Sequence, residues 1–373
     1  MNIVIIGAGI SGLLSALELA EQGCQVNIYN QTYAGQASWA GGGILSPMYP
    51  WRYPRAVNLL AQHGKALYQT WNEKLQPVTG IDFEIHETGM LILDETDFEV
   101  GLNYKTQFQD PMQHCEYLQR EQLDQVNPHL SEQFQHAIYF PEIANVRNPR
   151  LLQSLRHYLE QHPKVQFFDQ MPIQKFHIQQ DKVEYVETET GQKVYADQFV
   201  VTTGAWSGLW SAQLGLELPV RPVQGQMALI KTPAHWLPTM CMNQVMYLIP
   251  RMDGHIVCGS SMQECGFNAD TSEQIQQTIL EAAYEMVPEL AQFPVVQQWA
   301  GLRPSSPEGI PYIGQLPHLH NVWVNLGHFR NGLCMGPASA QLLAELMTGE
   351  TPSFNADHYS PTRLFQDALL SVD

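Results

Sequence analysis

Basic residues are scarce in this chain: 19 lysines and arginines stand against 37 aspartates and glutamates, a net charge of −18 over 373 residues. Nucleic acid and anionic membranes would be repelled by such a surface before any local contact formed, so small molecules are the expected partners. No uninterrupted apolar run reaches about 18 residues, which argues against a transmembrane segment. The six cysteines (Cys24, Cys115, Cys241, Cys258, Cys265 and Cys334) form no C-x-x-C pair. They read as free thiols of a cytoplasmic protein. The histidines lack H-x-x-x-H and H-E-x-x-H spacing, so no metal site is expected, and neither a P-loop nor a G-x-S-x-G elbow occurs. Met1–Ile6 is apolar, but no basic stretch or cleavage site accompanies it, so it reads as a buried strand and not as a leader.

Hydrophobic residues make up 44% and charged residues 15% of the chain, with no internal repeat, a balance that suits a globular protein without long disordered segments. Its length exceeds that of a usual single core, so two domains, interleaved in sequence, are expected.

The β-branched run Ile3–Ile6 passes through Gly7-Ala8-Gly9-Ile10-Ser11-Gly12 into the apolar helical stretch Leu13–Ala20, and Gln25–Tyr29 alternates like the next strand. This βαβ unit carries the G-x-G-x-x-G dinucleotide fingerprint. Gly7 permits the tight turn, Gly9 lets backbone approach a pyrophosphate, Gly12 allows close helix packing, and the helix start offers N–H groups to phosphates. One position departs from the pattern: the end of the second strand, where an acid usually meets the ribose, holds Asn30. An amide can still accept a hydrogen bond.

Two further strand-to-turn units follow, Phe199–Thr202 into Thr203–Gly208, and Val322–Asn325 into Gly327–Gly332 with a helix over about 333–347. Between them, Gly89–Leu93, 220–230 and Met246–Gly259 read as antiparallel strands. The expected fold is α/β plus α+β, a Rossmann-like nucleotide domain from 1–85, 148–217 and 303–373 with an antiparallel-sheet domain from 86–147 and 218–302.

Small residues crowd Ala37–Pro47, which reads either as a cofactor-embracing segment or as a surface loop. Arg303, in Trp299–Pro304, needs an anion: a substrate carboxylate or a structural salt bridge partner. Tyr247 reads as packing or as a pocket residue. Met48–Pro54 looks exposed and aromatic, suiting a lid, a homo-oligomer contact or a partner-protein interface.

Together these segments resemble the flavoprotein glycine oxidases of thiamin biosynthesis (ThiO type), within the D-amino-acid oxidase and sarcosine oxidase superfamily. The resemblance runs nearly end to end. It rests on the fingerprint, Ala40–Leu45, Thr203–Gly208, Tyr247–Arg251, Trp299–Pro304 with Pro311–Gly314, and Gly327–Gly332. It implies FAD, held by Gly7, Gly9, Ile10, Ser11, Gly12 and Asn30 and by Ser38, Trp39, Gly41, Gly42, Gly43, Ile44 and Leu45. Further implied contacts are Ile173, Gly204 and Trp206, with Arg303, His328, Phe329, Arg330, Asn331, Gly332 and Leu333 towards the end of the chain. It also implies that Arg303 grips the substrate carboxylate with help from the Tyr247 hydroxyl, while the Arg330 carbonyl orients the amine.

The implied reaction is oxidation of glycine or another small amino acid by oxygen, to glyoxylate or the corresponding 2-oxo acid, ammonia and hydrogen peroxide. Ser305-Ser306 stands where sarcosine oxidases often carry a flavin-linking cysteine, so FAD is expected to be noncovalent, with Cys334 as a lesser alternative for a linkage. A homo-oligomer, a tetramer by family analogy, is also implied. Two other activities stay open: a D-amino-acid dehydrogenase passing electrons to a quinone, and a sarcosine or secondary-amine oxidase. Asn243–Met246 replaces a segment where some glycine oxidases carry a pocket histidine, which leaves the choice among small amino acids open.

Overall fold

A computed structural model describes residues 1–107 and 114–364. Its first sheet has six strands, in the spatial order Tyr312–Gln315, Val322–Leu326, Gln198–Val201, Asn2–Ile6, Gln25–Asn30 and Val165–Asp169. All neighbours run parallel except Tyr312–Gln315, which pairs antiparallel at one edge. Both faces are covered, which is why central strands such as Asn2–Ile6 and Gln198–Val201 are almost wholly apolar. Ile3, Ile5, Val26, Ile28 and Val200 face a layer of helices that includes Ile10–Glu21, Asn148–Gln161 and Gly332–Thr348. Val4, Ile6, Phe199 and Val201 face the other way, onto Ile173, Phe176, Val183 and Val186 of a three-stranded antiparallel sheet. The period-two alternation of side chains thus joins two separate cores through one sheet.

The second large sheet has eight strands, ordered Val295–Ser305, Arg221–Lys231, His255–Gly259, Tyr247–Pro250, Met240–Met242, Met90–Ile92, His136–Phe140 and Glu116–Gln119. It is antiparallel except where Met240–Met242 runs parallel to Met90–Ile92, a pairing between distant stretches that local alternation does not reveal. One face packs Ala228, Ile230, Leu248 and Ile256 on the helix Glu273–Met286. The opposite face carries Met227, Tyr247, Ile249 and Val257.

Strands Arg221–Lys231 and Val295–Ser305 pair along their whole length, with Val223 opposite Arg303 and Gly225 opposite Gly301. The second of them spans residues 302 and 303, between which the sequence reading divides the chain. Thr203–Gly208 is tighter than a simple turn: Gly204–Trp210 winds as a 3-10 helix.

Met48–Pro54 overturns the expectation that it is exposed. Met48, Tyr49 and Pro50 are buried, and Arg52 alone in the stretch is exposed. The Tyr49 hydroxyl donates to Asp94 at 2.5 Å, Trp51 Nε1 donates to Asp97 at 2.7 Å, and Arg52 pairs with Asp97. Polar anchors at the aromatic tips draw the stretch inward, an outcome composition alone does not specify.

Candidate active site

A cavity of about 390 Å³ opens at the carboxyl ends of the parallel strands, where Ile6, Asn30, Thr202 and Leu326 line it, and continues beneath the eight-stranded sheet to Met227, Tyr247 and Arg303. The ends of parallel strands are the usual location of ligands in open α/β sheets. A second cavity of about 570 Å³ meets the first at Met48, Tyr247, Ser260, Phe329 and Arg330.

At its nucleotide end the site is built from close approaches. Gly7 has φ +110° and lies so near Thr202 that a Cβ would come within 2.7 Å of the Thr202 carbonyl oxygen. A Cβ on Gly12 would stand 1.9 Å from the Gly7 oxygen, so the helix sits directly on its own turn. Gly12 therefore lies behind the cavity wall, while Gly7, Gly9, Ile10 and Ser11 form it. Ser38 Oγ accepts the Ile10 N–H at 2.9 Å, which brings the segment after the second strand onto the helix start. The positive end of that helix faces the cavity. Asn30 Oδ1 accepts the Ala8 N–H at 3.1 Å, so the amide that replaces the usual acid braces the fingerprint turn.

Gly41, Gly42, Gly43 and Ile44 line the cavity wall. Their backbone is held by two residues that the site reading did not include. Asn148 Nδ2 donates to the Gly41 carbonyl at 2.8 Å, and buried Arg251 donates to the Gly42 carbonyl at 2.7 Å and the Val146 carbonyl at 2.9 Å. Burial pushes the Arg251 guanidinium down to about 10. Gly43, at φ +79°, leaves no room for a Cβ, which would stand 2.1 Å from the Val146 oxygen.

The remaining sites named from sequence divide. Ser38, Ile173, Gly204, Trp206, His328, Phe329, Gly332 and Leu333 line the cavity, with Trp206 stacked 4.8 Å from Tyr33. Trp39, Leu45 and Asn331 do not. Trp39 is 46% exposed, Leu45 is buried with its N–H donated to the Ala144 carbonyl, and Asn331 is buried at the start of the last long helix. Cys334 is also buried off the cavity, and its thiol donates to the Asn331 carbonyl at 3.2 Å.

Arg303, Tyr247 and Arg330 all face the cavity. Arg303 donates to the Gln224 carbonyl (3.3 Å), the Ser261 carbonyl (3.2 Å) and Ser260 Oγ (2.5 Å). All of these partners are neutral. Among the described residues no carboxylate pairs with Arg303, and the cavity lining contains no Asp or Glu. Burial pushes its guanidinium down, the Tyr247 hydroxyl beside it acts in the opposite sense, and the positive charge of Arg330 lowers it again. A half-buried cation held only by neutral acceptors is one that gains from an anionic ligand. The structural salt bridge that the sequence left open is absent among these residues.

Gly225 makes room for that guanidinium, and neither Gly225 nor Ser260 was singled out from sequence. A glycine inside a strand run, Val223-Gln224-Gly225-Gln226-Met227, was the available signal. Gly42 likewise makes room for Tyr247 and Ile249, for a Cβ there would meet Tyr247 Cε2 at 3.1 Å and Ile249 Cδ1 at 2.6 Å.

His328 is buried, and burial lowers its imidazole to about 4, so it is neutral at physiological pH. Its Nε2 has no hydrogen-bond partner among the described residues. An orphaned polar atom, a cradle of glycines and a helix start on one wall fit a polar dinucleotide such as FAD.

Residues 2–346 match the family described as FAD dependent oxidoreductase. The chain is 42% identical to a glycine oxidase of Pseudomonas aeruginosa over 96% of its own length and 98% of that protein. A Nostoc protein named bifunctional protein ThiO/ThiG is 30% identical over 96% of this chain and 55% of its own length. The crystal structure of glycine oxidase from Geobacillus kaustophilus superimposes with a TM-score of 0.90 at 26% identity, covering 97% of this chain and 98% of that one. With its strand-end cavity and glycine cradle, this chain belongs to the FAD-dependent oxidoreductase family typified by D-amino-acid oxidase.

Proposed function

We propose that the protein oxidises glycine, or a comparably small amino acid, at the junction of its two large sheets: glycine, oxygen and water give glyoxylate, ammonia and hydrogen peroxide. The observation that carries this reading is Arg303, a half-buried guanidinium without a carboxylate partner among the described residues, placed beside Tyr247 in a cavity whose far end suits a dinucleotide. The high identity to glycine oxidases supports the choice of substrate.

Bound FAD supplies a two-electron acceptor that oxygen can regenerate. Residues 7–11, 38, 41–44, 173, 204, 206, 327–330, 332 and 333 would hold it, without a covalent bond, since Cys334 lies off the cavity. Arg303 takes the substrate carboxylate bidentately, the Tyr247 hydroxyl assists, and the Arg330 carbonyl directs the amine. No Asp, Glu or Lys lines the inner cavity among the described residues, and His328 stays neutral down to about pH 4. The amine therefore has to enter, or become, unprotonated without a carboxylate base, and the chain contributes mainly placement and exclusion of water.

The reading includes a nucleotide domain from 1–85, 148–217 and 303–373, a substrate domain from 86–147 and 218–302, a cytoplasmic homo-oligomer, and a role in making the thiazole of thiamin. The last of these draws on the ThiO/ThiG relative.

The test is the visible spectrum of the purified protein during anaerobic titration with glycine, sarcosine, D-alanine and D-proline, followed by a peroxide-coupled assay. Bleaching of a flavin spectrum by glycine, with peroxide on admission of air, is expected. A colourless protein that takes up no FAD, or an absence of peroxide with every one of these amines, would overturn the proposal. Bleaching that only a quinone reverses would assign the protein instead as a dehydrogenase.

A further inference from the structure

The two cavities differ in where their charge is balanced. In the outer one, Arg52 is paired with Asp97 and Arg221 with Glu264, at 2.6 Å for the second pair. Arg330 is the exception. It is exposed, lines both cavities, and among the described residues its one hydrogen bond runs to the Met48 sulfur, 3.6 Å from Nη2. A thioether is a weak acceptor and leaves most of the guanidinium's donors to solvent or ligand. Among the described residues no carboxylate pairs with Arg330. The inner cavity repeats the pattern with Arg303. The connected space therefore presents two cations that no carboxylate among the described residues neutralises, near enough for one to depress the other's proton affinity, on a chain of net charge −18.

We infer that Arg330 forms an outer anion subsite, so that the enzyme accepts small dicarboxylic amines, with one carboxylate on Arg303 and the second on Arg330. Two like charges in one cavity repel, and a ligand carrying two negative charges relieves both at once, whereas glycine relieves one. Met48 supports the second site from below, since it is buried and holds the guanidinium at the junction. For iminodiacetate the balance is closed by reactants already named: with oxygen and water, one C–N bond is cleaved to give glycine, glyoxylate and hydrogen peroxide. The carbon that becomes the aldehyde is oxidised by two electrons, and oxygen is reduced by the same two. This inference rests on the substrate reading above, although the subsite itself is measurable without turnover.

The experiment compares binding of malonate and acetate to the FAD-loaded protein, read from perturbation of the flavin spectrum, in the wild type and in Arg330→Met. Malonate is expected to bind at least tenfold more tightly than acetate in the wild type, with that advantage reduced to within about threefold in the variant. The ratio of kcat/KM for iminodiacetate over glycine is expected to fall at least tenfold in parallel. Equal affinities for the two acids in the wild type, or a malonate advantage that survives in Arg330→Met, would overturn the subsite. If no amine is oxidised yet the Arg330-dependent malonate advantage is found, the substrate reading fails and the anion subsite stands.

Discussion

Gly225 lies directly beneath Arg303: a Cβ on Gly225 would stand 2.1 Å from Arg303 Nη2 and 2.4 Å from its Cζ. The two residues sit on paired neighbouring strands, so the guanidinium crosses the strand where that strand has no side chain. This gap lets Arg303 reach the Gln224 and Ser261 carbonyls.

Gly225→Ala should therefore displace the guanidinium while leaving the distant nucleotide end intact. The expected result is a rise in KM for glycine of at least about tenfold, within the range of a lost charge-assisted contact. Retention of FAD, read from the absorbance ratio of the purified protein, separates this outcome from general unfolding. An unchanged KM would show that Arg303 does not hold the carboxylate.

Arg303→Ala should raise KM more strongly, by a factor corresponding to about 2–5 kcal/mol, with FAD still bound. Arg303→Lys is expected to recover only part of the loss, because an ammonium keeps the charge but not the planar fork. Steady-state kinetics on both variants decide this, and complete rescue by lysine would argue for a simple charge effect.

Glu18, on the helix Ile10–Glu21, accepts a hydrogen bond from Trp71 Nε1 at 3.2 Å. Burial raises its carboxyl to about 7; the Trp71 bond opposes that shift, and Glu345 and Glu21 add to it. The folded state thus favours the neutral form. Its stabilising contribution is complete below the ordinary value of 4.5 and is lost as pH rises through about 7. Glu18→Gln should gain stability over the wild type at pH 8, by up to about 1–3 kcal/mol, and little at pH 4. Thermal unfolding at the two pH values measures it, and a difference that does not change with pH would rule out Glu18 as the cause.

His328→Leu removes the unpartnered Nε2 from the cavity wall. If that atom meets FAD, the lost hydrogen bond should weaken FAD binding by about 0.5–1.5 kcal/mol, or roughly two- to tenfold. Fluorescence titration of the apoprotein with FAD gives the dissociation constant. Unchanged affinity would place the imidazole outside the cofactor contacts.

The strand-turn-helix units were legible in the sequence because each is a local pattern. Ile3–Ile6 becomes the strand Asn2–Ile6, Gln25–Tyr29 becomes Gln25–Asn30, and Val322–Asn325 becomes Val322–Leu326. Arg303 and Tyr247 stood out as an arginine amid small and apolar residues and a tyrosine on a strand, and a chain-long family likeness gave them expected roles. Trp39 shows the limit of that reasoning. It lies in a segment that does reach the cavity, but it is the solvent-facing member of the short helix Ala37–Ala40. The exposure expected of Met48–Pro54 failed for a related reason, since Asp94 and Asp97, which draw its aromatic tips inward, come from more than 40 residues further along the chain.

By itself the sequence determined the alternation that buries both faces of the parallel sheet, the glycine turn that opens its first helix, and the excess of acidic residues over the whole chain. Only the tertiary structure decided that Gly225 clears the path of Arg303 and that, among the described residues, Arg303 has no acidic neighbour and Arg330 stands unneutralised where two cavities meet. Backbone conformation and burial follow from residues a few positions apart, whereas the partner of a charge is set by which distant strands pair and in what register.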